Sequence, residues 1–486
     1  MKEEKYPNDE NQGAPLKEFK LTPEKVSAFS GKKTTDQILR DLLSEIKVID
    51  FRTYLNLPKD ENLQQKHIIV GVVKNLLKIA ETNRWNLVRA YDYVYIYNGA
   101  YWVKLEKEEM KSLLGKAAIA MGCPDYNADH FEFKEKLLKQ FLTEGHFQPP
   151  ITKSNKILIN LENGTFEIFG NNCRLREFDP GDFLTYQLPF EYNPEAECPM
   201  FGAFLLKVLP EEASRMVLQE FSGYIFTDLN LEKILMLTGS GSNGKSVFYN
   251  VLCALIGEES LLTFPLGLFD REYNRARLVN KKLNFTSEKG TDLNPDLTKK
   301  LASCEDMQAR EPHGKSFSFK PQARHIINTN EFPKITEQTE AFYRRFEIIP
   351  FDVRITEEEK DIDLANKIIA TELPGVFNWL IIGLYRVIEN KKFTRSEKNE
   401  LALARFKFNS DSVAQFVEDA RLIKSTTKKE SIKDLFPRYR SFCNDNSFKS
   451  VSVNTFSTRL TNLGFEDARM TGGDSAFYME TDYSRD

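Results

Sequence analysis

The chain has no pair of cysteines at C-x-x-C spacing. Its six cysteines, Cys123, Cys173, Cys198, Cys253, Cys304 and Cys443, are widely dispersed, which excludes an obvious zinc ribbon and leaves free buried thiols as the expectation. The five histidines are scattered as well, with no His-x-His pair, and this argues against a metal-dependent nicking centre. No run of eighteen apolar residues marks a membrane span. The polar start Met1-Lys-Glu-Glu-Lys-Tyr-Pro lacks the apolar region of a signal peptide, so a cytosolic setting is expected. An excess of basic charge is missing too: net charge is −4, and any nucleic-acid contact must come from local basic patches.

What is present is ample core-forming material. Hydrophobic residues make up 41% and charged residues 28% of 486, the balance of a soluble chain long enough for several domains. Residues 1–36, rich in Lys, Glu, Pro, Asn and Gly, read as a mobile tail. Residues 37–197 read as an α+β N-terminal domain. Ile38, Leu39, Leu42, Leu43 and Ile46 recur at helical spacing, and Ile68 to Ile79 predicts a second helix. Two stretches then alternate with period two, one around Asn98-Gly99 and one around Asn163-Gly164, the pattern of β-hairpins. Alternating Tyr91, Tyr93, Tyr95, Tyr97, Tyr101 and Trp102 could offer a base-stacking platform, but half-buried sheet packing is the favoured reading. No solenoid repeat is found. Residues 198–230 turn helical, a collar segment, and 231–390 alternate short apolar strands with helices as a layered α/β unit does. A charged connector comes next. The C-terminal unit, 405–486, predicts helices over Ser412–Ile423, Ser431–Asn444 and Val453–Leu463, then a strand pair hinged at Gly472-Gly473.

The segment Gly239-Ser240-Gly241-Ser242-Asn243-Gly244-Lys245-Ser246 follows the apolar strand Ile234-Leu-Met-Leu and opens a helix marked by Val247, Val251, Leu252, Leu255 and Ile256. Strand, glycine-rich loop and helix form the context a phosphate-binding loop requires. Glycines let N–H groups turn onto phosphate oxygens, and the helix N-terminus adds its positive end. Lys245 would reach the outer phosphates of ATP, and the Ser246 hydroxyl would ligate Mg2+.

Three later features narrow the reading. Lys282-Leu-Asn-Phe-Thr-Ser-Glu288 ends a short strand in a carboxylate suited to the magnesium shell and to polarising water; alone, Glu288 could simply cap a strand. His325-Ile-Ile-Asn-Thr-Asn330 ends another in an amide that can sense a terminal phosphate, or merely turn the chain. Arg344 and Arg345 precede Phe346 and the strand after it. Paired arginines are usually surface ion-pair formers, yet in a ring ATPase one can enter the neighbour's site.

In this order the motifs resemble superfamily 3 helicases, and more closely the phage, plasmid and poxvirus helicase-primase branch. Phe178-Asp-Pro-Gly-Asp-Phe-Leu-Thr-Tyr-Gln-Leu-Pro, Tyr192-Asn-Pro-Glu-Ala-Glu-Cys-Pro and Phe221-Ser-Gly-Tyr are similar to the segment leading into that branch's motor. The resemblance implies an AAA+-like P-loop motor, with Glu288 as catalytic acid, Asn330 as sensor, and Arg345, or else Arg344, as a finger acting in trans. It also implies a homo-oligomer, a hexamer, moving 3′ to 5′ on single-stranded or forked DNA in a bacterial cell or phage-infected host. The acidic pair of some relatives is absent, since Asn284 lies in the strand and no second acid adjoins Glu288.

Members of this superfamily carry a channel-lining hairpin between acid and sensor. The matching stretch holds Lys299, Lys300, Arg310, His313, Lys315, Lys320 and Arg324, with a turn at Pro312-His-Gly-Lys315. A cationic tip suits phosphate contact along a single strand; a solvated surface hairpin is the plainer alternative. The C-terminal unit reads as a winged helix with Asn454, Arg459 and Asn462 facing outward, for DNA or for protein. Residues 84–200 contain no Asp-x-Asp, so a separate primase partner is expected. A loading ATPase that remodels DNA without processive unwinding stays open as the alternative.

Overall fold

The computed structural model describes residues 33–90, 93–145, 156–170, 172–287, 293–311, 314, 316–333, 335 and 337–482. The expected tail lies almost wholly outside them. Where description begins, Thr34 already caps a helix: its hydroxyl accepts from the Gln37 N–H, and the Gln37 side chain accepts from the Thr34 N–H, a reciprocal cap.

The helices Thr35–Ser44, Gln65–Thr82, Lys107–Ala120 and Phe131–Glu144 enclose one core through Leu42, Val72, Leu76, Leu114 and Leu137. Against them lies an antiparallel sheet of β1 (Leu87–Ala90), β2 (Tyr93–Tyr97) and β3 (Trp102–Leu105). Its turn is held by Asn98, whose side-chain oxygen accepts from the Ala100 and Tyr101 N–H groups. Alternation gives this sheet two buried faces. Val94 and Ile96 join the helical core, whereas Tyr93, Tyr95, Tyr97 and Trp102 form a separate cluster with Phe183, Val279 and Phe317. Tyr93, Tyr95 and Tyr97 are thus packing residues, and what they pack against is the rest of the molecule; Tyr91 lies outside the described residues.

The second hairpin builds β4 (Lys156–Leu161), β5 (Gly164–Phe169) and β6 (Asn172–Arg176). Ile159, Leu161 and Phe166 of this sheet belong to the same core as the strands and helices beyond residue 198. The region expected as one N-terminal domain therefore divides, and its second half shares a core with the unit C-terminal to it.

That larger unit is a five-stranded sheet in the order Phe346–Pro350, Ile234–Thr238, Arg324–Thr329, Leu283–Ser287 and Leu261–Leu262, every neighbouring pair parallel. Its strands are β7 (Ile234–Thr238), β8 (Leu261–Leu262), β9 (Leu283–Ser287), β12 (Arg324–Thr329) and β13 (Phe346–Pro350), with the antiparallel hairpin β10 (Met307–Arg310) and β11 (Ser316–Phe319) standing between β9 and β12 in sequence. The helical segment 198–230 is not a separate collar. The Glu372 carboxylate accepts from the Met200 and Phe201 N–H groups at 2.9 Å, capping the helix Pro199–Val208. The helix Glu212–Tyr224 lies along Leu373–Asn390 so closely that a Cβ on Gly223 would meet the Leu384 nitrogen at 2.5 Å, and one on Gly383 the Gln219 oxygen at 2.3 Å.

Beyond the charged connector, helix Glu397–Ser410 packs on β13, with Phe406 against Phe332, Tyr343 and Phe346. The last unit consequently begins at helix Ser412–Asp419, not at residue 405. It continues through β14 (Leu422–Ser431), helices Ile432–Asp445 and Val453–Asn462, β15 (Asp467–Arg469) and β16 (Ser475–Thr481), in sheet order β14-β16-β15. The predicted helix to Ile423 stops early because Arg421 turns into the left-handed region (φ 52°) and the chain enters β14. All six cysteines are free, with Cys198 and Cys253 only half-buried. Among the described residues no single helix is long and apolar enough to cross a membrane. The molecule is a mixed α/β, multidomain protein.

Candidate nucleotide-binding site

Four strands of the parallel sheet end side by side. Thr238 of β7 is in register with Thr329 of β12 and Pro350 of β13, and Ser287 of β9 with Asn328. Ligands of open α/β sheets bind outside such carboxyl ends, and here the loop Gly239–Ser246 leaves the sheet. Its backbone is left-handed at Gly241, Ser242 and Gly244. Gly244 also has no room for a side chain, since a Cβ would meet Phe204 at 2.7 Å and Val208 at 2.8 Å; the helix Pro199–Val208 is the floor of the loop. Gly239 is crowded in the same way, by the Asn243 amide and the Phe351 carbonyl.

Asn243, buried within the loop, donates to the Phe351 carbonyl at 3.0 Å. The Ile355 N–H donates to the Ser242 carbonyl at 2.7 Å. The chain leaving β13 therefore braces the loop from behind. Sequence reading placed Asn243 in the loop but missed this bracing role. The contact joins residues 108 apart, and nothing in the local spacing signals it.

Helix Lys245–Ile256 starts at the loop, with Gly244 as its N-cap. Lys245 is buried. Its ammonium donates to the Gly239 carbonyl at 2.8 Å, to Asn330 Oδ1 at 3.0 Å and to Asn243 Oδ1 at 3.3 Å. Among the described residues these are all neutral oxygens, and burial pushes the lysine pKa down. A cation so placed gains from an anion at the loop. Ser246, next in the helix, is exposed. Asn330 stands just past β12, where the Thr329 hydroxyl accepts from the Glu331 N–H at 3.2 Å and steadies the turn. Glu288 lies outside the described residues. Asn284, a polar residue of β9, is wholly buried and answers both backbone groups of Phe264 at 2.9 Å, so its amide ties β9 to the segment after β8.

The two arginines separate clearly. Arg345, expected as the finger, turns inward. It is 8% exposed, bonds the Ala341 carbonyl, and lies 3.5 Å from Ser303 Oγ and 3.4 Å from Glu232. Arg344 is the exposed member, touching the same Glu232 at 3.4 Å. Reaching a neighbour would cost Arg345 its internal bonds, and Arg344 far less.

The candidate DNA residues scatter. Lys299 pairs with Glu337 at 2.6 Å, while Lys300 is exposed. Arg310 is exposed at the end of β10, donating to the Gly314 carbonyl at 3.1 Å and lying over the Tyr273 ring. His313 and Lys315 fall outside the described residues. Arg324 is buried: it stacks on Tyr224 at 4.0 Å and donates to the Thr227 carbonyl at 3.0 Å, so it fastens β12 internally. Arg459 likewise does not face outward as expected, but pairs with Asp411 at 3.1 Å; Asn454 and Asn462 are exposed.

Residues 237–345 match a family of unknown function (DUF5906), and residues 74–210 match the D5 N terminal like family. "Putative helicase 121R" of Invertebrate iridescent virus 3 is 23% identical over 363 residues, covering 64% of this chain and 36% of its own. "Putative helicase L207/L206" of Acanthamoeba polyphaga mimivirus is 26% identical over 218 residues, covering 40% of this chain and 22% of its own. The chain thus spans little more than a third, at most, of the curated relatives it matches. Among solved structures, the A form apo structure of the NrS-1 C terminal region is 15% identical, with a TM-score of 0.48, covering 83% of this chain and 98% of that one. The chain is thus similar, over part of its length, to viral proteins described as putative helicases, and residues 74–210 carry the match to the D5 N terminal like family.

Proposed function

We propose that this protein is an ATP-driven DNA helicase motor of superfamily 3, working as a ring, a hexamer by resemblance, on single-stranded or forked DNA. The observation that carries the reading is the meeting of Lys245 and Asn330 at 3.0 Å across the ends of β7 and β12. A glycine loop alone binds phosphate; a loop whose lysine shares its position with a strand-tip amide can also distinguish nucleotide states.

The residues suit ATP and Mg2+. Lys245 has its ammonium aimed among neutral oxygens and would take the outer phosphates, the helix N-terminus would take their charge, and Asn330 would exchange its bond to Lys245 for one to the terminal phosphate. Ser246 and Glu288 would hold Mg2+, which shields phosphate charge during hydrolysis. Arg344, exposed at the surface, is the better candidate for the trans finger. Lys300, Arg310, His313 and Lys315 would meet the DNA backbone, and the C-terminal unit, read as a winged helix, would engage DNA or a replication protein. Primer synthesis is assigned to a separate partner.

ATP turnover measured with and without single-stranded DNA tests this. Strong stimulation supports a motor, and turnover indifferent to DNA would point to a small-molecule kinase instead. A loader would hydrolyse ATP on DNA yet leave a forked duplex intact.

A further inference from the structure

Three tyrosine hydroxyls of the β2–β3 hairpin each meet a different segment of the motor. Tyr93 donates to Glu311 at 2.7 Å, where β10 gives way to the turn of the β10–β11 hairpin, and its ring meets Phe317 of β11 edge-on at 5.9 Å. Lys104 lies over that ring at 4.2 Å and 3.7 Å from the same Glu311. Tyr95 accepts from the Asn280 amide at 2.8 Å, in the segment leading into β9. Tyr101 donates to Glu259 at 3.1 Å, just past the far end of the helix that begins at Lys245.

One element therefore touches the segment just past the helix that carries the glycine loop, the approach to β9, and the turn end of the hairpin proposed to contact DNA. Its own freedom is small, because Val94 and Ile96 on its other face are fixed in the N-terminal helical core. The contact with the motor is not packed throughout. A cavity of about 570 Å3 is lined by Tyr93, Tyr95, Tyr101, Glu259, Asn280 and Glu311, so beside the ring contacts with Val279 and Phe317 the two parts meet through polar bonds next to open space. Such bonds can break and re-form as segments shift, whereas interdigitated apolar packing resists small displacements.

From this arrangement we infer that the β2–β3 hairpin is a strut that sets the β10–β11 hairpin relative to the nucleotide loop, with Tyr93, Tyr95 and Tyr101 as its positioning residues. The inference rests on the proposed motor, since it supplies a route by which nucleotide at Lys245 is felt at β10–β11. It gives the N-terminal sheet a task in the ATP cycle besides burying surface.

Hydrogen exchange of the β10–β11 amides, in the full chain with and without a non-hydrolysable ATP analogue, tests it without requiring DNA. In the wild type the analogue is expected to change hairpin exchange several-fold. The double variant Tyr93→Phe/Tyr101→Phe keeps both rings and should bind the analogue with unchanged affinity while its hairpin no longer responds. Tyr97→Phe is the control: Tyr97 lies on the same buried face, and its hydroxyl has no partner among the described residues, so the response should survive. Glu259→Ala and Glu311→Ala, made on the motor side, should reproduce the loss. A double variant that responds like the wild type, or a wild-type hairpin indifferent to bound analogue, would overturn the strut. A wild type that binds no analogue would sink the nucleotide reading and the strut together.

Discussion

The ammonium of Lys245 lies 3.0 Å from the side-chain oxygen of Asn330, 85 residues further along the chain. The parallel pairing of β7 with β12 produces this meeting, because Thr238 and Thr329 end in register and the next residues of both strands emerge together. In the proposed cycle, ATP displaces Asn330 from the lysine and takes up both groups. Asn330→Asp sets a carboxylate where the amide was, and its charge competes with phosphate for the lysine. Nucleotide binding followed by fluorescence is expected to weaken about tenfold or more, since each 1.4 kcal/mol lost is a factor of ten. Asn330→Ala should bind nearly as the wild type does but hydrolyse slowly.

The arginines give a second prediction. Arg345→Ala removes internal bonds from a buried guanidinium and should destabilise the fold by about 1–3 kcal/mol, measured by denaturant unfolding. Arg344→Ala should leave unfolding unchanged and abolish most ATP turnover. Because a trans finger and the loop it serves belong to different subunits, mixing Arg344→Ala with Lys245→Ala should restore part of the activity that each lacks alone. No recovery at any mixing ratio would argue that each subunit hydrolyses ATP unaided.

How far the sequence led can be judged on these residues. The loop Gly239–Ser246 and the turns at Asn98 and Asn163 were legible because glycine and asparagine requirements are local. Asn330 was legible because it ends an apolar strand. The different burial of Arg344 and Arg345 was not, since adjacent residues share one sequence context and only the packing around Ser303 and Glu232 separates them. The merging of helix Glu212–Tyr224 with Leu373–Asn390 was hidden too. Gly223 and Gly383 carry that contact, and an isolated glycine in a helical pattern reads as an ordinary weak point. Helix Glu397–Ser410 falls outside the unit that its sequence suggests, because Phe406 shows only that a face is buried, not which strand covers it.

Acid should unsettle the motor through His325. The ring sits in β12, fully buried, and burial first, then the neighbouring Arg324 charge, pushes its pKa down to about 3. The folded state holds His325 neutral, while the unfolded chain takes up a proton below the ordinary histidine value of 6.5. Its contribution is therefore complete above pH 6.5 and is lost progressively as pH falls toward 3. The thermal midpoint should drop over that window, and His325→Gln should flatten the part of the profile nearest about pH 6. An unchanged profile in the variant would assign the acid sensitivity to other groups.

The central claim is that hydrolysis at the Lys245 loop drives strand separation. It is tested most directly by following a fluorescently labelled forked duplex under ATP with the wild type and with Lys245→Ala. The account predicts that the wild type releases single strands only when ATP and Mg2+ are present, and that Lys245→Ala binds the fork but releases none. Intact duplex with an ATP-hydrolysing wild type, or equal release by Lys245→Ala, would contradict it.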